Sequence, residues 1–171
     1  IAAIEKCNDL APLHNPANLI GINSCKEIMP NVPMVAVFDT AFHQTMPKKA
    51  YLYGLPYEYY EKDNVRRYGF HGTSHRYISA EAIKLLGGAE GTKIITCHLG
   101  NGSSLAAVKD GKCVGTSMGL TPLEGLMMGS RTGDIDPASI FYLLRNTDMT
   151  VDELDDLYNH GLNGVPQGSL V

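Results

Sequence analysis

"IITCHLGNGSSLAAVKDGKCVGTS", residues 94–117, decides how the chain is read. Three largely apolar runs are separated by Asn101-Gly102 and Asp110-Gly111. Both dipeptides favour tight β-hairpin turns, because each tolerates positive φ. The pattern predicts a three-stranded antiparallel meander over residues 93–98, 103–109 and 112–117. The two turns differ in their neighbours. Only charged residues flank the second. The first is preceded by His98 and followed by Ser103 and Ser104. Glycines remove side-chain bulk, so backbone N–H groups in such a turn can face a phosphate. The same residues also suit a plain hairpin. The spacing is not that of a Walker A loop, which needs GxxxxGK[ST] between strand and helix.

Upstream, "HNPANLIGINSCKEIMPN" predicts a helix with Asn15 as cap and Pro16 at the first helical position. Leu19, Ile22 and Met29 recur at helical spacing, and Pro30 ends the element. "VPMVAVFDT" is a short Val-rich run that predicts a buried strand presenting Asp39 at its C-terminal end. Residues 41–75, rich in Pro, Gly and Tyr, predict a long irregular segment, and such ordered loops are usually functional. A helix is expected from about Ser74, with Ile78, Ala82, Leu85 and Leu86 as its apolar stripe and Gly87-Gly88 as its stop. Downstream, Asp136 and Pro137 predict a helix start. Thr150-x-x-Glu153 is a capping box that opens a last helix ending near Gly161.

The bulk properties narrow the function. The 171 residues carry a net charge of −4, and no Lys/Arg stripe supports nucleic-acid binding. No apolar run approaches the ~18 residues of a membrane span. The four cysteines lack CxxC spacing, which predicts reduced thiols rather than a metal site. The chain opens at Ile1 and closes after "GVPQGS", and is expected to be an internal piece of a longer protein.

Three further residues are candidates for chemistry. Asp39 is a strand-end carboxylate that could bind Mg²⁺ or orient a reactant, or a plain cap or solvated acid. Arg131, in Gly-Ser-Arg-Thr-Gly, could aim a guanidinium at phosphate, or pair at the surface with Asp134. His71, in "YGFHGTSH", could donate to an anion or cap the following helix. His71 and His75 stand four residues apart, but with His98 they do not complete a zinc-ligand pattern, and no zinc site is expected. An acid, two histidines, an arginine and a phosphate-type hairpin together suggest phosphoryl transfer.

Five segments carry a resemblance: "LAPLHNP", "VFDTAFH", "YGFHGTSH", "CHLGNGSS" and "TSMGLTPLEGLMMGSRTGDIDP". They span essentially the whole chain and resemble the acetokinase family, of the acetate and sugar kinase/Hsp70/actin (ASKHA) superfamily. The resemblance implies a partial α/β, actin-like (ribonuclease H-like) fold. Residues 1–40 would close a first domain, and residues 41–171 would open a second with its β-meander and helices. It implies reversible, Mg²⁺-dependent phosphoryl transfer from ATP to acetate, giving acetyl phosphate and ADP. Propionate or butyrate kinase activity and a non-catalytic nucleotide-binding actin-like fragment are the alternatives.

By motif position, Asp39 resembles the active-site acid, and His71 and Arg131 resemble the groups that stabilise the phosphoryl in flight. His98, Leu99, Gly100, Asn101 and Gly102 resemble the ATP phosphate loop. Leu13, Phe70 and Pro122 resemble part of the acetate methyl pocket. The resemblance further implies a cytoplasmic homodimer. It implies that the main metal ligands, a second substrate arginine and the adenosine site lie outside residues 1–171. The isolated chain is then expected to be inactive.

Overall fold

The computed structural model describes residues 1–8 and 14–161. The chain divides into two compact units, Ile1–Val37 and Phe38–Val171.

The first unit holds a short helix α1 (Ala2–Glu5) and a longer helix α2 (Asn15–Ile28). Helix α2 begins one residue earlier than its sequence suggests. His14 occupies the cap position without a side-chain cap bond, and Pro16 lies in the first turn. The Asn15 amide instead donates to the Cys7 carbonyl at 2.9 Å. Leu19 is the buried residue of this helix.

The Val-rich run after α2 is not the buried strand its composition predicts. Residues 33–38 have no regular structure. Val35 is 86% exposed and Val37 74%. Strand structure depends on ladder partners. Among the described residues the one sheet has the order β1-β2-β3, and this run is not in it.

The second unit is organised by that sheet. Strands β1 (Lys93–Leu99), β2 (Ser103–Lys109) and β3 (Lys112–Thr116) form the expected antiparallel meander. Asp110 (φ 50°) and Gly111 (φ 77°) make the two-residue, left-handed turn that their dipeptide predicts. The first connection differs. Leu99 pairs with Ser103, so three residues form the loop. None of the three has positive φ.

One sheet face buries Thr96, Ser104, Ala106 and Val108; the other leaves Ile95 and Leu99 each 72% exposed. Helix α5 (Gly72–Leu85) and a 3₁₀ turn (Ala41–Thr45) cover the buried face. Met46, Ala106 and Cys113 form the core there, with Phe42, Ala50 and Tyr51 packed around them.

Helix α5 starts two residues before Ser74 and turns a different face inward than its hydrophobicity suggests. Its buried residues are Gly72, His75 and Ser79, whereas Ile78 and Leu85 are 48% and 90% exposed. The inward stripe is polar: His75 meets hydroxyls on the sheet, and Ser79 Oγ donates to the Arg76 carbonyl. The segment before α5 is also less irregular than expected. It contains the 3₁₀ turn and two short helices, α3 (Lys48–Tyr51) and α4 (Tyr57–Asp63).

Residues 117–137, by contrast, contain neither helix nor strand, and side chains hold them in place. Arg67 Nη1 donates to the carbonyls of Thr116, Ser117 and Met118, while its Nη2 pairs with Glu124. Tyr53 donates its hydroxyl to the other Glu124 oxygen at 2.5 Å and accepts from the Leu120 N–H.

Helix α6 (Ala138–Asn146) follows, with Pro137 in the cap position and the Asp136 carboxylate accepting from the Ala138 N–H. Helix α7 (Val151–His160) opens on the capping box of Thr150 and Glu153 and gives way at Gly161, as its sequence predicts. Among the described residues no helix is long and apolar enough to cross a membrane.

Candidate active site

The site assembles where the N-terminus of α5 meets the β1–β2 loop. Asp39 anchors that terminus. Its carbonyl accepts from the Gly72 N–H at 2.8 Å, and its Oδ2 accepts from the His71 N–H at 2.6 Å. A Cβ on Gly72 would lie 2.1 Å from the Asp39 carbonyl oxygen, so only glycine permits this approach. Asp39 therefore sits at the site in an irregular segment rather than at a strand end, and it remains exposed.

His71 is held in an unusual conformation. Its backbone is left-handed (φ 57°, ψ 26°). A non-glycine residue there costs on the order of 1–3 kcal/mol, and such outliers cluster at functional sites. The carboxylate of Asp39 and a ring contact compensate. His71 Nδ1 lies 2.8 Å from Ser104 Oγ. The ring stacks on that of His98 with centroids 4.0 Å apart and planes 22° apart. His98 is itself held through Nδ1 by Ser74 Oγ at 3.0 Å.

Gly102 brings the loop and the side chains together. A Cβ added there would meet His71 Nε2 at 2.9 Å and Arg131 Nη1 at 3.6 Å. The absent side chain is thus what lets an imidazole and a guanidinium close on the loop backbone. Arg131 Nη1 also donates to the Pro122 carbonyl at 2.8 Å. The alternative ion pair with Asp134 is not formed: among the described residues Arg131 pairs with no carboxylate, and Asp134 Oδ1 accepts from the Gly125 N–H.

The remaining loop residues differ in what they offer. Leu99 and Asn101 are exposed. The Gly100 N–H is directed to the Gly102 carbonyl at 3.2 Å, and Ser103 Oγ to the Gly100 carbonyl at 3.1 Å. Phe70 and Pro122 are half-buried. Their carbonyls hold His43 Nε2 and Arg131 respectively. Leu13 lies outside the described residues.

The electrostatics favour an anion. Burial, then the neighbouring His98, lowers the His71 pKa, and Arg131 adds to this while Asp39 opposes it. Burial lowers His43 in the same direction. His75 falls to about 4, first through burial and then through His43, His71 and His98. The neutral rings leave Arg131 as the fixed positive charge beside the loop.

Sequence reasoning passed over the layer beneath. His75 Nε2 lies 2.8 Å from Ser104 Oγ, and its Nδ1 lies 2.8 Å from Thr96 Oγ1. His43 is fully buried, with its Nδ1 3.2 Å from Cys113 Sγ. The available signals were the four-residue spacing of His71 and His75 and the in-out alternation of β2, which places Ser104 inward. Although four histidines gather here, no group of three or more His, Cys, Asp or Glu converges as a metal site among the described residues. Mg²⁺ is commonly held by one or two carboxylates plus substrate phosphates. The exposed carboxylate of Asp39, beside the loop, fits that role.

Comparison with known proteins identifies the family of the chain. The sequence pattern of the acetokinase family matches residues 1–169. An acetate kinase of Lachnoclostridium phytofermentans is 64% identical over 169 residues, covering 95% of this chain and 43% of that protein. An acetate kinase of Agathobacter rectalis is 62% identical over 171 residues. The crystal structure of Porphyromonas gingivalis acetate kinase superimposes with a TM-score of 0.86 at 51% identity, over 93% of this chain and 40% of that one. A propionate kinase of Francisella tularensis gives 0.88 at 52% identity, over 92% and 41%. The chain thus spans about two fifths of the length of these relatives and carries part of the α/β kinase fold they share. It belongs to the acetokinase family.

Proposed function

We propose that these residues serve ATP-dependent phosphorylation of acetate, the reaction that the names of its relatives describe. The observation that carries this reading is the closure of His71 Nε2 and Arg131 Nη1 on the Gly102 backbone. A transferring phosphoryl group spreads charge over three equatorial oxygens, and donors aimed at those oxygens stabilise it. Arg131 supplies a fixed charge and N–H donors, and His71, once its Nε2 is protonated, a second donor on the same side.

Acetate is ionised at neutral pH, far above an ordinary carboxyl pKa, so no general base is required. One of its oxygens bonds to the γ-phosphorus as the bond from phosphorus to the bridging oxygen breaks, and ADP leaves with that electron pair. Asp39 holds the N-terminus of α5 and would hold Mg²⁺, which neutralises charge on the phosphates. Residues His98, Leu99, Gly100, Asn101 and Gly102 receive the ATP phosphates. Leu13, Phe70 and Pro122 contribute to the acetate methyl pocket. Residues 1–40 belong to the end of a first actin-like domain, and residues 41–171 to the opening of a second. The complete enzyme acts as a cytoplasmic homodimer, without nucleic acid or membrane.

Propionate is the second reading. It is favoured by the Francisella propionate kinase, which superimposes on this chain as well as the Porphyromonas acetate kinase does. Acetyl phosphate formation, trapped as the hydroxamate, tests the assignment in a full-length kinase carrying these residues. Acetate turnover that Arg131→Ala lowers about 10³-fold supports it. Turnover with propionate and none with acetate selects the second reading, and turnover with neither sinks both.

A further inference from the structure

The buried layer under His71 has a definite proton order. Four side chains form an unbroken line: Thr96 through Oγ1, His75 through both ring nitrogens, Ser104 through Oγ and His71 through Nδ1. The three links between residues are each 2.8 Å. Thr96, His75 and Ser104 are 3%, 1% and 0% exposed, so no bulk water enters the line. Each hydroxyl has one proton, and each neutral imidazole has one. The direction of a single link therefore sets all the others. The far end sets it. Thr96 Oγ1 lies 3.4 Å from the Ala106 carbonyl, which can only accept. With the Thr96 proton on that carbonyl, Thr96 accepts from His75 Nδ1–H. A neutral His75 then has a bare Nε2, which accepts the Ser104 proton. The Ser104 oxygen is left to accept from His71 Nδ1–H.

We infer that Thr96, His75 and Ser104 act as positioning residues that hold neutral His71 in its Nδ1–H tautomer and aim an unprotonated Nε2 past Gly102 toward Arg131. The role in catalysis rests on the phosphoryl-transfer reading above; the tautomer does not. The opposite order would place the His71 proton on Nε2 and leave the Ala106 carbonyl without the Thr96 hydroxyl. The inferred order has a second property. Ser104 accepts from Nδ1–H whether the ring is neutral or charged, so the ring keeps its orientation against His98 in either state. This accounts for a buried polar stripe on α5 where an apolar one would pack as well: His75 is there to set a proton, not to fill a core.

Long-range ¹H–¹⁵N correlation of the histidine rings in the intact protein, at pH 7.5 and without substrate, reads the tautomer directly. His71 Nδ1 is expected at the protonated, pyrrole-like shift and Nε2 at the unprotonated, pyridine-like shift. Thr96→Val is nearly isosteric and does not touch His71. It removes the acceptor for His75 Nδ1–H, so the line should reverse and His71 should become the Nε2–H form. A mainly structural threonine would leave the His71 shifts where they were. Native His71 with a protonated Nε2, or a folded Thr96→Val protein with unchanged His71 shifts, overturns the inference. In a full-length kinase, Ser104→Ala is expected to lower kcat about tenfold with KM for ATP within twofold. Loss of activity in Arg131→Ala tests the phosphoryl-transfer reading separately, since the ring shifts do not depend on turnover.

Discussion

Gly102 has no Cβ, and one placed there would lie 2.9 Å from Nε2 of His71. The φ angle at Gly102 is not positive, so the glycine is required for space and not for backbone conformation. His71 cannot readily yield, because Ser104 holds its Nδ1 and His98 stacks on its face. Gly102→Ala is therefore expected to leave folding nearly intact while forcing the ring and the loop apart. Calorimetric affinity for ATP should fall at least tenfold in a full-length kinase, with the thermal midpoint changed by only a few degrees. An unchanged affinity removes the loop from the nucleotide site.

Arg131 offers a different test, of shape rather than space. Its Nη1 is committed to the Pro122 carbonyl, which leaves the rest of the fork for a ligand. Lysine carries the same charge on a compact ammonium and cannot reproduce the planar fork. Arg131→Lys is expected to recover little of the roughly 10³-fold loss in kcat given by Arg131→Ala. Steady-state kinetics that show only a rise in KM for ATP would contradict a transition-state role.

Folding should depend on pH through the buried histidines. Below pH 6.5 an unfolded chain protonates the His75 imidazole, whereas the folded ring stays neutral until about pH 4. The unfolded state binds more protons in that window, so stability falls as the pH drops from 6.5 to about 4. The difference is worth on the order of 3 kcal/mol for His75. His43 and His71 are shifted in the same direction and add to it. Urea midpoints at pH 7, 6 and 5 should decline steadily, and more shallowly in His75→Gln. Identical midpoints at pH 7 and 5 would show that the rings are not held neutral.

The parts of this structure legible in sequence are those set by neighbours along the chain. Asp110-Gly111 and the capping box of Thr150 and Glu153 each specify local geometry, and both occur as read. The meander follows from its turns. What failed depended on partners distant in sequence. The Val-rich run before Asp39 reads as a strand, but no described strand pairs with it. Ile78 and Leu85 form the obvious stripe of α5, yet His75 faces inward because hydroxyls 21 and 29 residues away receive it. Asp39, His71, Gly102 and Arg131 were legible as types in suggestive settings. Their convergence was not, since it depends on a left-handed His71 that no local signal marks.

Glu124 tests whether the irregular loop matters to the site. It takes both Arg67 and Tyr53, whose hydroxyl pKa is driven upward by burial and then by this carboxylate. The Arg67 and Glu124 side chains are 20% and 32% exposed. Glu124→Gln should therefore cost about 2 kcal/mol, below the ~3–5 kcal/mol of breaking a fully buried pair. Pro122 lies two residues away and carries the carbonyl that holds Arg131. Loosening the loop should thus lower kcat as well as the thermal midpoint. A lowered midpoint with unchanged kcat would mean that Arg131 is positioned without help from this network.

Phosphoryl transfer requires both substrates aligned and charge neutralised from several sides. The described residues bring together one carboxylate, one guanidinium, one imidazole and one loop, and the relatives are more than twice as long. Losing even one transition-state arginine in such enzymes costs roughly 10³-fold or more. Val35, Val37 and Phe38 stand exposed, as do Ile95 and Leu99 on the uncovered face of the sheet. Apolar surface of that kind favours association over solution. The chain alone is expected to form no measurable acetyl phosphate from ATP, Mg²⁺ and acetate, and to elute in size-exclusion chromatography above its monomer mass. Clear turnover abolished by Asp39→Asn would show that these residues suffice for the chemistry, and that the remaining length of the relatives serves another purpose.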